Sequence, residues 1–328
     1  MNTIPTAPAI KQQRQRQSVK HLPVGLFGSV MSTAGLALAW RLVGKEYGSG
    51  GEVATYIGIV AMAVFAILVL SYAAKYLKYP EQVRLEFEHP VLGSFFGTVG
   101  ISVLLVSSLL RNYDARLQLA VWLVGVVITL LLASLMVSRL LNGNVAPTSV
   151  APSWLIAGVG SLDIVVTGGQ FTSGWAHEIN LLAAGVGSVS AVVFFVLIFS
   201  RLVHMESLAG ALRPSKMIMV APFGVGFIAY VNLSGTVDTF AALLFYFGLF
   251  LFVIVSYRLA IRPAPFSPSW WGIGFPMAAL TNAALVYSEA VGGLKLMATI
   301  LVCLLTVSVA VLAVLTLHAL ATGRLLKA

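Results

Sequence analysis

Charge is what this sequence has least of. Only 9% of its 328 residues are Asp, Glu, Lys or Arg, against 59% hydrophobic, and a water-soluble domain carries roughly a quarter of its residues charged. A soluble globule is thereby excluded. Nucleic-acid binding goes with it, because the net charge of +9 has no soluble domain on which to form a basic face. The single cysteine, Cys303, excludes an intrachain disulfide, and in its apolar run it reads as a small packed residue. The five histidines are scattered over loops and helix ends, with no paired metal-ligand spacing beyond His204 and Glu206. There is no nucleophile elbow and no phosphate-binding glycine loop, since Gly224 and Gly226 fall inside an apolar stretch. No enzyme, metal or cofactor is expected.

What the chain does have is long apolar runs of roughly 20 residues, as at 53–70 and 121–137, without the alternation of a barrel strand. In lipid every backbone polar group must be satisfied within the protein, so these runs predict an all-α integral membrane fold. Ten spans are expected, at 22–42, 53–76, 91–110, 117–141, 152–169, 178–200, 217–234, 237–260, 270–290 and 294–321. An even number puts both ends on one side. Fifteen of the twenty Lys and Arg residues then fall on that side and five on the other, namely Arg41, Lys45, Arg111, Arg116 and Lys295. By the positive-inside rule both termini are cytoplasmic. Residues 1–20, with Lys11, Arg14, Arg16 and Lys20 and no apolar segment, read as a disordered basic tail rather than a secretory signal. Residues 21–328 read as a single membrane domain, because the loops are too short for a second.

Small and bending residues alternate along the chain. Each odd span carries a proline in or beside it and at least two glycines: Pro23 with Gly25, Gly28 and Gly35; Pro90 with Gly93, Gly97 and Gly100; Pro152 with Gly158 and Gly160; Pro222 with Gly224 and Gly226; and Pro276 with Gly272 and Gly274. The even spans hold no proline and only Gly58, Gly125, Gly185, Gly187 and Gly248. The pattern predicts five quasi-repeated helical hairpins. Glycine lets helices approach closely and proline bends them, so the odd helices are expected to surround a central pore and the even ones to face lipid. Hydroxyls on the odd helices, such as Ser29, Thr98, Ser102 and Thr281, would hold an anion weakly enough to release it. For any one of them, an interhelical hydrogen bond is the reading favoured over pore lining.

Two groups sit awkwardly with an anion pore. Asp163 falls near the middle of the fifth span, where a carboxylate is costly and would repel an anion. It is either neutral and hydrogen-bonded, or nearer the outer mouth, or a proton-coupling site of a transporter. The charged stretch from Lys75 to His89 reads as an amphipathic cytoplasmic helix with a solvated face. Glu178, Asp238 and Glu289 fall at outer helix ends, where carboxylates cost little.

Four segments, PVGLFGS (23–29), YLKYPEQVRLEFEHP (76–90), VAPFGVGFIAY (220–230) and WWGIGFPMAALTNAA (270–284), resemble in order and spacing the family of bacterial TehA, named for tellurite resistance, and the plant slow-type anion channels. This family is grouped with voltage-dependent anion channels and C4-dicarboxylate transporters. The resemblance runs from Leu22 to Leu326. It implies a homotrimer in the bacterial inner membrane, one pore per subunit lined by the odd helices, and a phenylalanine gate matched here by Phe275, one of 18 phenylalanines. The expected function is passage of small anions such as chloride or nitrate; the alternative is a proton-coupled carrier or exporter of C4-dicarboxylates or tellurite. The expected pore-lining or kink residues are Pro23, Gly28, Gly97, Gly160, Pro222, Gly226, Gly274 and Pro276, with Asp163 as the proton-coupling candidate.

Overall fold

The structure is a computed structural model that describes residues 18–48, 50–143 and 145–326. The tail expected at 1–20 lies, up to residue 17, outside the described residues. Every regular element among them is helical. In chain order they are α1 (Phe27–Tyr47), α2 (Gly51–Lys78), α3 (Pro80–Glu88), α4 (Gly97–Leu110), α5 (Ala115–Leu141), α6 (Trp154–Gly168), α7 (Gly174–His204), α8 (Ala221–Ser234), α9 (Thr239–Ile261), α10 (Trp271–Val291) and α11 (Lys295–Ala321). Eight helical stretches are long and apolar enough to cross a membrane, which makes this a multi-pass membrane protein. α6 is shorter, and α10 carries polar and small residues along its length. Both are buried almost throughout, so neighbouring helices rather than lipid satisfy their surfaces.

Local signals set the helix ends. α1 continues to Tyr47, beyond the expected boundary at residue 42, and stops at Gly48, whose φ of 69° suits a left-handed cap. Asp114 and Asp238 accept backbone N–H bonds at the starts of α5 and α9.

Packing sorts the helices into two sets. α1 lies along α2, α4 along α5, α6 along α7, α8 along α9 and α10 along α11. α1, α4, α6, α8 and α10 also pack on one another in a closed ring, with α10 returning to α1. In the ring, the apolar windows of α1, α4 and α8, taken with the 3-10 turns before them, are 61%, 67% and 56% buried. Those of the partner helices are 17% to 33% buried. Glycine permits the ring to close: a Cβ on Gly224 would stand 2.7 Å from the Leu280 backbone nitrogen of α10, closer than real packing allows.

Polar side chains then tie the ring together. Ser102 donates to the Phe27 carbonyl at 3.1 Å, Asn282 to Gly35 at 3.1 Å, and Asn232 to Val165 and Val166 at 3.2 and 3.1 Å. The hydroxyl of Ser102 is thus spent on helix pairing.

Three expectations are corrected by the fold. Among the prolines of the odd spans, Pro276 alone lies in the interior of an α-helix. Pro23 caps a 3-10 turn, Pro90 and Pro152 precede their helices, and Pro222 opens α8, where a missing N–H costs nothing. Most of these prolines therefore start helices rather than bend them. Cys303 is exposed on α11 rather than packed. The stretch 75–89 does include a helix, α3, but its charges are not all solvated. Lys75 is 3% exposed and pairs with Glu86, which also accepts from Tyr72 Oη at 2.9 Å and from the Val24 N–H at 2.8 Å. Lys75, on the last turn of α2, donates in addition to the Leu22 carbonyl at 2.8 Å, so α2 and α3 are both fastened to the segment that leads into α1. The two ends of the described chain meet, with Ser18 N donating to the Leu326 carbonyl at 3.4 Å.

Candidate functional site

Two cavities lie between the five ring helices. The larger, about 370 Å³, is lined by the C-terminal halves of all five and includes Arg41, Ser108, Arg111, Asp163, Asn232 and Asn282. The smaller, about 30 Å³, is lined by their N-terminal portions and includes Gly28, Met31, Thr98, Ile156 and Pro276. A space of that size holds about two water molecules. Phe275 is in the wall of both cavities and is 7% exposed. The space between the ring helices is therefore wide toward one end and nearly filled toward the other, with Phe275 in the wall of each part.

The ends that meet in the larger cavity are helix C-termini, which carry partial negative charge. Two arginines offset it. Arg41 is half-buried and donates from Nη1 to the Ser108 carbonyl at 3.1 Å, which leaves its other N–H groups available. Arg111 follows α4 and is exposed. Neither arginine was singled out by sequence: Arg41 stands at the end of the first expected span and Arg111 just beyond the third, and each was counted as an ordinary charge of the outer side. The glycine at position 48 was the signal that α1 runs on past Arg41.

Asp163 is 1% exposed and lines the same cavity, and its Oδ2 has no hydrogen-bond partner among the described residues. Its side chain is therefore buried in the cavity wall. Of the remaining candidates, Gly28 and Pro276 line the smaller cavity. Gly97 and Gly160 sit at helix contacts, facing Ile156 and Ile101, and Gly274 faces Ser32. Pro23 lines a separate cavity of about 220 Å³ with Glu86 and Ser267. Pro222 and Gly226 are absent from both axial walls. They line a groove with Phe195, Leu244 and Phe247 on the outward side, because α8 turns that face toward α7 and α9. Glu289 pairs with Lys45 at 3.2 Å, and Asp238 caps α9.

A helical membrane protein with a closed inner ring and a cationic cavity on its axis belongs structurally with membrane transport proteins. The sequence matches the voltage-dependent anion channel family, SLAC1, over residues 21–317, and the chain belongs to that family, which comprises anion channels and transporters rather than enzymes. It is similar to the tellurite resistance protein TehA homolog of Haemophilus influenzae, at 30% identity over 276 residues that make up 81% of each chain. It is also similar to the guard cell S-type anion channel SLAC1 of Arabidopsis thaliana, at 27% identity over 323 residues, 91% of this chain and 57% of the relative. A transporter of Methanocaldococcus jannaschii is 24% identical over 295 residues, 82% of this chain and 86% of the relative.

Proposed function

We propose that this protein conducts small monovalent anions, chloride-like or nitrate-like, along the axis of the ring formed by α1, α4, α6, α8 and α10, with Phe275 as the gate. The observation that carries the reading is the position of Phe275 in the walls of both axial cavities. A bulky apolar ring there blocks an ion sterically and leaves it nothing to replace its hydration. Arg41 and Arg111 raise the local anion concentration in the wide cavity, while the neutral polar groups around it keep binding weak enough for release. Residues 21–328 act as one channel domain of ten spans behind the basic tail. The fifteen-to-five distribution of cations favours cytoplasmic termini in a bacterial inner membrane, and on that orientation the wide cavity opens outward. The homotrimer belongs to the same reading and rests on family likeness. Planar-bilayer recording tests the gate: Phe275→Ala is expected to raise anion current at least about tenfold, the equivalent of removing about 1.4 kcal/mol of barrier. Unchanged current through well-folded protein refutes the gate.

A second reading is supported by Asp163, a buried carboxyl without a partner in the wall of the wide cavity. In it the protein is a proton-coupled carrier of C4-dicarboxylates or tellurite. A channel holds a reversal potential set by the anion gradient alone. A coupled carrier shifts that potential with pH, and Asp163→Asn abolishes the shift.

A further inference from the structure

Away from the axis, five cations converge at the end of the bundle where the described termini meet. Arg201 is on the last turn of α7, Arg213 and Lys216 on the 3-10 segment Gly210–Val220, Arg258 on the last turn of α9, and Arg262 just past it. All four arginines bear electrostatically on the Lys216 ammonium, and no carboxylate does. None of the five makes an ion pair or donates a side-chain hydrogen bond among the described residues. Glu206, the nearest acid in sequence, is exposed and forms none of the ion pairs.

A cation at a helix C-terminus is ordinary, since it offsets the dipole. Arg201 goes further. Its Nε and Nη1 are buried and have no acceptor, and an unpaired, desolvated guanidinium N–H is costly. An oxyanion would complete these donors, and a phosphate offers the planar fork two oxygens at once. The surroundings indicate what carries it. Phe199 and Val203 on α7, with Tyr257 and Ile261 on α9, are exposed large apolar side chains beside the cluster, so an apolar surface of two outward-facing helices ends at a cationic rim.

We propose that Arg201, Arg213, Lys216, Arg258 and Arg262 form a binding site for a phosphate-bearing anionic ligand, the headgroup of an acidic phospholipid whose chains lie along α7 and α9. A lipid there ties α7 and α9 to the 3-10 segment that leads into α8. The site is independent of the anion route.

Native mass spectrometry of the detergent-purified full chain, titrated with phosphatidylglycerol or phosphatidylcholine, tests the site. Phosphatidylglycerol is expected to bind at least about tenfold more tightly, because its headgroup carries a net negative charge that phosphatidylcholine lacks. Arg201→Gln with Lys216→Gln should lose about tenfold in phosphatidylglycerol affinity. Arg258→Gln with Arg262→Gln, which removes only exposed side chains, should show a similar loss even where the first pair perturbs folding. The control, Lys78→Gln with Arg84→Gln, removes the same charge from exposed positions on α2 and α3 and should bind as the unsubstituted protein does. A parallel arm adds inorganic phosphate: failure to displace the lipid supports a headgroup site, and full displacement overturns the lipid assignment in favour of a soluble phosphate-bearing ligand. Unchanged affinity in the Arg258, Arg262 pair, or equal loss in the control, overturns the site.

Discussion

Removing the two arginines of the wide cavity gives a prediction whose size follows from their placement. The perturbation is Arg41→Gln with Arg111→Gln in a Phe275→Ala background, so that the gate does not limit the current. A monovalent anion roughly 8 Å from a guanidinium gains about 0.5 kcal/mol at the dielectric of water and about 2 kcal/mol at an effective dielectric of 20. Arg41 is half-buried and held by the Ser108 carbonyl, so it belongs near the upper figure. Arg111 is exposed and belongs near the lower. Together they contribute about 2.5 kcal/mol unscreened. At 0.1 M salt, where the Debye length is about 10 Å, about 1 kcal/mol survives over that distance, a roughly fivefold loss of anion occupancy. At 1 M salt the Debye length is about 3 Å and the loss falls below about 1.5-fold. Planar-bilayer conductance measured across that salt range is the assay. Conductance of the double variant should fall about fivefold at 0.1 M and converge with its parent at 1 M, while the Arg41→Lys, Arg111→Lys pair keeps most of the conductance. A conductance ratio that does not change with salt, or the same loss in the lysine pair, refutes the electrostatic role.

Three further outcomes are expected. Glu86→Gln leaves the buried Lys75 ammonium without its counter-charge and should destabilise the protein by about 3 kcal/mol; thermal unfolding in detergent measures it, and Lys75→Met with Glu86→Gln should recover much of the loss. Gly224→Ala places a methyl against the Leu280 backbone and should cost about 1 to 3 kcal/mol, read as a lowered Tm. The Asp238 carboxyl is held below the usual carboxylate range by its hydrogen bond from Tyr230 Oη and by the Ala241 N–H. Because its folded-state pKa is depressed, its stabilisation is complete above the unfolded value of about 3.9 and is lost as pH falls through the folded one. The Tm deficit of Asp238→Ala should therefore be larger at pH 7 than at pH 3.

Much of this architecture was legible in residue order alone. The glycines of the odd spans mark the helices that pack into the ring, because only small residues permit backbone contacts such as that of Gly224 with Leu280. Direction around a helix was harder to read. Pro222 and Gly226 look, in sequence, like Gly28 and Pro276, yet they line an outward groove rather than an axial cavity. That difference depends on where α7 and α9 pack, which no local pattern states. Charges near helix ends were read as solvated by default. Arg41 escaped notice because it was counted as an outer-side charge at the end of its span, whereas α1 runs on past it and the packing of the ring puts it in the cavity wall, and Lys75 with Glu86 because their partners, Leu22 and Val24, are more than fifty residues away in sequence. The hydroxyls carried two meanings from the start. Neighbouring carbonyls decided between them, as for Ser102 against Phe27.

Accessibility of the ring axis tests the central claim most directly. Cys303 is the single cysteine, so Cys303→Ser supplies a clean background. In it, with Phe275→Ala, Ala279→Cys places a thiol in the wall of the wide cavity, and Val314→Cys places one on the exposed face of α11. A negatively charged methanethiosulfonate reagent applied from the side opposite the termini is expected to block anion current through the Ala279→Cys protein and leave the Val314→Cys protein unaffected. Undiminished current after complete, mass-verified modification of the thiol at position 279 would contradict an anion route along the axis.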